Sequence, residues 1–217
     1  MGIIPKYLYF IALALVFSLF AYKKRSKKQF YLKLFLPFLL ITFVIESYSI
    51  YLWYIGGSNQ NLYNYFTTFE FCFYQLILSY IITNHRIKKA IIYILIFYLP
   101  LTLINILLIQ RGKFHSITYS VGCLLIVIFC IYYFFELFRL PNSINLKKEP
   151  SFWVCSGLLF YYCCSLPLFG AINFFSQIPK FLLDNMQIIV NIMNILLYTS
   201  FTIAFLCRLR IPKYTLQ

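Results

Sequence analysis

An all-α, polytopic membrane bundle of seven transmembrane helices, N-terminus outside and C-terminus cytoplasmic, is the fold this sequence predicts, on three observations. Only 11% of the 217 residues are charged, while 62% are apolar and 22% aromatic; an ordinary water-soluble domain carries roughly 25% charged residues. The apolar residues collect in seven runs, each of roughly 18 to 26 residues, and about 20 carry a helix across the hydrocarbon core of a bilayer. Lysine and arginine are divided unevenly between alternate connections. The expected spans are 5–22, 29–54, 65–84, 90–109, 116–139, 151–172 and 185–207. They leave short connections and a brief tail, so residues 1–217 read as a single transmembrane domain without room for a soluble catalytic, nucleotide-binding or DNA-binding domain.

The first run is preceded by one charge, Lys6, and followed by Lys23, Lys24, Arg25, Lys27 and Lys28. A cleaved signal peptide carries its positive charge before the apolar stretch, so this run is expected to stay as a helix. Lys6 stands where a myristoylation signal wants Ser or Thr, and the ending Tyr-Thr-Leu-Gln offers no prenylation cysteine. The second run stops at the polar turn Gly56-Gly57-Ser58-Asn59. Arg111-Gly112-Lys113 follows the fourth, Pro141-Asn142-Ser143 ends the fifth, and the sixth closes between Pro167 and Asn173. Pro37, Pro100 and Pro167 fall within spans or near their ends, where a missing N–H kinks a helix and frees carbonyls for other partners.

Cytoplasmic connections retain an excess of Lys and Arg. Connections one, three and five, the tail and Lys33 together hold 15 of the 19 basic residues; Lys6, Arg111, Lys113 and Lys180 form the other side. This places the N-terminus outside. The net charge of +14 is then a basic rim beside anionic lipid headgroups, and no nucleic-acid partner is needed to explain it. The cysteines at 72, 123, 130, 155, 163, 164 and 207 show no CxxC or Cys/His ligand spacing; they read as small apolar packing residues, and neither a metal nor a cofactor is expected. His85 lies in a basic turn. His115 stands at the mouth of the fifth span, a place where an imidazole titrating near neutral pH serves as a sensor or gate.

Five acids occur in the chain, and Glu46 and Glu70 fall within spans. An ionisable side chain at membrane depth is by default a functional-site hypothesis. From the expected span ends they lie about 12 Å and about 9 Å below the same surface, on antiparallel neighbours, close enough in depth to share a proton or a cation. The competing reading has each carboxylate in its own hydrogen-bond network with Tyr or Asn. Further polar residues follow helical spacing at this level: Thr42, Ser49 and Trp53 beside Glu46; Thr67 and Tyr74 beside Glu70; Tyr98, Thr102 and Asn105 on the fourth span; Thr118 and Tyr119 on the fifth; Gln187, Asn191, Asn194 and Tyr198 on the seventh. Singly, Asn and Gln often just glue membrane helices together. Converging at one depth, they mark a pocket open to the outside. Glu46, Glu70, Tyr74, Asn105, His115, Tyr119, Asn191 and Asn194 are the candidate ligand-binding or ion-coupling residues. Trp53, Tyr54, Tyr63, Tyr65 and Tyr7 read as an interfacial aromatic belt. Glu136, three residues before Arg139, reads as half of a local ion pair.

A retinal protein needs a lysine in the seventh helix, and residues 185–207 contain none. His-Glu-x-x-His, a rhomboid-type serine loop and paired aspartates are likewise missing, so no enzyme is expected. Two classes remain. One is a receptor-like sensor that binds a small molecule or lipid from outside and signals to a separate cytoplasmic protein such as a histidine kinase. The other is a small proton- or cation-coupled transporter using Glu46 and Glu70. Against the second stand the missing Pro-Gln motif and the lack of similarity between residues 5–84 and 116–207, which a three-plus-one-plus-three repeat would show. A homo-oligomer is compatible with either.

Through stretches such as Tyr63-Asn64-Tyr65-Phe66-Thr67-Thr68-Phe69-Glu70-Phe71-Cys72-Phe73-Tyr74 and Phe201-Thr202-Ile203-Ala204-Phe205-Leu206-Cys207-Arg208, the chain resembles small bacterial seven-helix integral membrane proteins that carry no assigned activity. The resemblance implies a location in the bacterial inner membrane and, because such proteins accompany two-component sensor genes, a receptor-like role. It implies no catalytic residue.

Overall fold

A computed structural model describes residues 5–23, 29–139, 145–170 and 180–210, apart from the side chains of 180–184 and 210. Lys24, Arg25, Lys27, Lys28, Lys213 and the expected break Pro141-Asn142-Ser143 lie outside the described residues. Seven α-helices make up the fold: α1 Tyr7–Lys23, α2 Tyr31–Tyr54, α3 Gln60–Ile81, α4 His85–Ile104, α5 Ser116–Phe138, α6 Pro150–Ser165 and α7 Lys180–Arg210. Widened π-helical turns extend α4 over Asn105–Ile109 and α6 over Leu166–Gly170. The second contains Pro167, where the regular ladder of N–H donors is interrupted; the first begins five residues after Pro100. In the first, the Gln110 amide reaches back five residues to the Asn105 carbonyl at 2.7 Å.

Five of these helical stretches, Tyr31–Tyr54, His85–Ile109, Ser116–Phe138, Pro150–Gly170 and Asn185–Leu209, are long and apolar enough to cross a bilayer. A helix of 24 residues, such as α2, extends about 36 Å against a hydrocarbon core of about 30 Å. Their outward faces expose residues such as Leu40, Val44, Phe97, Leu108 and Ile128, a surface that fits acyl chains. The chain is therefore an all-α protein of the multi-pass membrane type. Helix α1 is shorter, and α3 is interrupted by Asn64, Thr67, Thr68, Glu70 and Gln75. Helix α3 starts five residues before the expected span because Gln60 to Asn64, too polar to read as membrane, are helical. Helix α7 likewise starts before the expected span, at Lys180, and so includes Asp184.

Six helices close a ring in the order α1, α2, α3, α5, α6, α7, with α7 returning to α1, and α4 packs on the outside of α3. The order explains the burial pattern. Of α4, only Ile91, Tyr98 and Thr102 are buried, whereas α3 buries nine residues spread around much of its circumference. A layer of aromatic rings fills the middle of the ring. Phe38 stacks on Phe73 at 3.9 Å between centroids, Phe35 meets Phe201 at 5.0 Å, and Phe71 meets both Tyr119 and Tyr162 at 5.3 Å. Aromatic pairs at such distances add about 0.5–1.5 kcal/mol each beyond the area they bury.

The connections are fastened by side chains. Gly56 takes φ +73°, a conformation in which a Cβ clashes, so the α2–α3 turn closes within a few residues, and Asn59 Nδ2 donates to Ser49 Oγ at 2.9 Å. At the opposite end of the bundle Glu136 accepts the Thr83 and Asn84 amides, both at 2.9 Å, satisfying donors that the start of α4 leaves free. The expected ion pair with Arg139 is not what engages this carboxylate; the Arg139 guanidinium lies over the Phe135 ring at 3.9 Å. Arg208, counted above with the basic rim, is buried, and its Nη1 donates to the Gln29 carbonyl at 2.8 Å.

Gly122 of α5 marks a tight crossing. A Cβ there would stand 2.8 Å from the Tyr98 hydroxyl and 2.9 Å from the Phe71 ring. Gly122→Ala is expected to cost about 1–3 kcal/mol by overpacking, read as a lower melting temperature of the purified protein; an unchanged melt contradicts this packing.

Candidate functional site

Between the ends of the ring helices nearest Gly56 lies a cavity of about 760 Å³, within the range of small-molecule sites. Its polar wall comes from helical stripes. On α3, Gln60, Tyr63, Thr67 and Glu70 recur at steps of three and four and all face the cavity. On α7 the stripe Gln187, Asn191, Asn194 and Tyr198 does the same. Glu46 of α2 and Tyr119 of α5 complete the set drawn from the sequence, while Tyr7, Phe114, Tyr161 and Phe169 supply aromatic walls.

The two carboxylates are held differently. Glu46 Oε2 accepts the Tyr7 hydroxyl at 2.7 Å and the Tyr63 hydroxyl at 2.9 Å, tying α1 and α3 to α2 through one oxygen. Glu70 accepts no hydrogen bond from the described residues. Counted from the observed helix ends, Glu46 is eight residues from Tyr54 and Glu70 ten from Gln60, or about 12 Å and about 15 Å along the axes. Glu70 is thus the deeper of the two, which reverses the order expected from the shorter span. Both line the same cavity. Glu46 thus sits in a tyrosine network of the kind the competing reading expects, whereas Glu70 has no such network among the described residues.

Five of the eight candidate residues, Glu46, Glu70, Tyr119, Asn191 and Asn194, line this cavity; Tyr74, Asn105 and His115 do not. Tyr74, one turn beyond Glu70, is fully buried against Phe38, Tyr162 and Phe201, and its hydroxyl has no hydrogen-bond partner among the described residues. It belongs to the aromatic layer that floors the site. Asn105 Nδ2 donates to Gln110 Oε1 at 2.8 Å and to Thr118 Oγ1 at 3.0 Å, and Gln110 continues to Ser116 Oγ at 3.0 Å. This buried chain staples the π-turn of α4 to the start of α5, so Asn105 holds the frame beside the cavity.

His115, in the connection before α5, is fully buried. Its Nε2 lies 2.8 Å from Thr67 Oγ1 and its Nδ1 2.9 Å from Thr118 Oγ1. Thr67 already donates to the Tyr63 carbonyl at 2.7 Å, and Thr118 already accepts from Asn105. Thr67 therefore takes a proton from Nε2 and Thr118 gives one to Nδ1, which assigns the neutral tautomer from the network. Burial lowers the imidazole to about 4. A gate titrating near neutral pH, expected from the sequence, is not what this environment provides. Asn64 holds the same connection, its Nδ2 donating to the Lys113 carbonyl at 2.9 Å and its Oδ1 accepting the His115 amide at 3.2 Å.

Tyr7 and Tyr63 were expected in an interfacial belt. Trp53, Tyr54 and Tyr65 are indeed exposed, but Tyr7 and Tyr63 turn inward to Glu46. The signal for Tyr63 was present: it continues the Thr67, Glu70 stripe one turn back, a turn lost when the span is started at residue 65. No stripe of amide or acidic residues marks Tyr161 or Phe169, whose polar neighbours on this stretch are serines such as Ser165.

No group of three or more His, Cys, Asp or Glu capable of holding a metal ion occurs among the described residues. No family model, curated protein or solved structure matches this chain.

Two predictions follow the geometry. Tyr63→Phe removes one of two donors to a carboxylate, and the lost hydrogen bond to a charged group is expected to lower stability by about 1.5–3 kcal/mol, less in a Glu46→Gln background; additive losses would mean that the hydroxyl does not serve Glu46. His115 makes stability depend on acid. Below pH about 6.5 the unfolded chain takes up a proton that the folded chain refuses until about 4, so stability falls as pH drops through that window and is unaffected above it. Melting curves from pH 7.5 to 4 are expected to show this loss, and His115→Gln to flatten it.

Proposed function

We propose that the protein is a receptor-like seven-helix sensor of the bacterial inner membrane, N-terminus outside and C-terminus cytoplasmic. It binds a small molecule or lipid in an outward-facing polar cavity and signals to a separate cytoplasmic protein such as a histidine kinase. The observation that carries this reading is a cavity of about 760 Å³ that two carboxylates enter from one end of the bundle and that a packed aromatic layer closes below. The uneven division of basic residues supports the orientation, with the Gly56 end outside. A ligand that rearranges the ties among α1, α2 and α3 has a physical route to the basic end through rigid helices.

The second reading, a proton- or cation-coupled transporter, draws on Glu70, an acid without a hydrogen-bond partner among the described residues in a cavity that holds another acid. The aromatic floor favours the receptor.

The test is crosslinking in native membranes through a C-terminal tag, with mass spectrometry of what remains bound. A cytoplasmic signalling protein is expected in stoichiometric amount. Glu46→Gln and Glu70→Gln are expected to insert and fold normally while abolishing signalling through that partner; equal signalling by both variants ends the paired-carboxylate reading. Proton-driven entry of a radiolabelled amine and amino-acid mixture into proteoliposomes, lost in both variants, would transfer the assignment to the transporter.

A further inference from the structure

The geometry points to a ligand class for this cavity: an organic cation, an ammonium group carried on an apolar or aromatic body, with the ammonium seated on Glu70. The inference rests on the proposed reading that the cavity holds a ligand.

Three observations on independent residues support it. The first is charge. Glu46 is engaged by two tyrosine hydroxyls, Glu70 by none of the described residues, and no cationic side chain among the described residues stands against either carboxylate. Lys113 also lines the cavity but is exposed at its mouth. A carboxylate this far from bulk water is stable when a cation or hydrogen-bond donors meet it, and Glu70 has the vacant acceptor positions.

The second is a shielded acceptor on the opposite wall. Asn191 Oδ1 is buried without a hydrogen-bond partner among the described residues, and its own amide nitrogen is turned back to the Gln187 carbonyl at 2.9 Å. Glu70 from α3 and Asn191 from α7 thus offer acceptors from two sides, the arrangement that an N–H-bearing or quaternary cation finds attractive. The third is the wall chemistry. Tyr119, Tyr161, Phe114 and Phe169 line the cavity, and aromatic faces attract cations through their quadrupoles while packing against an apolar body. Phe169 and Tyr119 stand 5.8 Å apart and Phe114 and Tyr119 5.1 Å apart, so the rings form a continuous wall. A bare metal ion fits less well: no third acidic, His or Cys ligand joins the two carboxylates among the described residues.

The experiment uses the full-length protein in lipid nanodiscs and three probes of one shape: benzyltrimethylammonium, its uncharged carbon isostere neopentylbenzene, and the anion phenylacetate. Binding is read by calorimetry and by the shift in melting temperature. Benzyltrimethylammonium is expected to bind at one site, with the other two weaker by about tenfold or more. Glu70→Gln is expected to weaken the cation by a similar factor and to leave neopentylbenzene unchanged. The comparison of isosteres on the native chain needs no variant, so it decides the question even if Glu70→Gln fails to fold. Equal or tighter binding of neopentylbenzene or phenylacetate overturns the cation while leaving the cavity a ligand site. Failure of all three probes to bind overturns the cation assignment too, and the signalling of Glu70→Gln then judges the ligand site separately.

Discussion

A single carboxylate oxygen organises the Gly56 end of this bundle. Glu46 Oε2 takes the hydroxyls of Tyr7 and Tyr63, and through them it fixes where α1 begins, how α3 leaves the Gly56 turn and which way α2 presents its polar stripe. A carboxylate at this depth is costly unless charge-assisted donors replace its water. Two phenols meet that demand without adding a second charge, and their rings remain as cavity wall. The tie therefore does two things with the same atoms: it satisfies a buried acid and holds three helix ends apart around an open space.

That space persists because the surrounding frame is rigid on every side that has no helix partner of its own. Asn64 grips the connection ahead of α5, His115 bridges Thr67 and Thr118, and the Asn105–Gln110–Ser116 chain locks the π-turn of α4. Each is a backbone or side-chain group that a membrane interior would otherwise leave unpaired. Below, Phe35, Phe38, Phe71, Tyr74 and Tyr162 interlock, so the ring is filled by side chains where the cavity ends. Helix α4 stays outside, which is why its polar residues serve the frame and not the cavity.

The number of helices and the stripe on α7 were legible in the sequence because each depends on local period and on length against a bilayer. The partition of residues between cavity and frame was not. Asn105, His115 and Asn191 look alike as polar residues at one depth; only the ring order, with α4 set outside α3, sends the first away from the cavity and keeps the last in it. Tyr63 was hidden by a boundary, because hydropathy alone starts α3 at residue 65 and cuts off the turn on which Tyr63 and Gln60 sit. Tyr7 was hidden by a rule, since tyrosine near a helix end reads as interfacial unless a tertiary partner is known. The depth order of Glu46 and Glu70 changed for the same reason as Tyr63.

The aromatic floor also bears on how this cavity meets the membrane's electric field. A cation of the proposed kind that reaches Glu70, about 8 Å past the polar first turn Gln60 to Asn64 of α3, has passed through roughly a quarter of a ~30 Å hydrocarbon core. Rings packed below oblige the remaining potential to fall across the floor. Moving one charge through 100 mV is worth about 2.3 kcal/mol, so a quarter of that drop is about 0.6 kcal/mol, or about two- to threefold in affinity. On the proposed orientation, an energised membrane, negative inside, would draw such a cation in, and a depolarised one would release it. Occupancy of the site would then report the energetic state of the cell together with the concentration of its ligand.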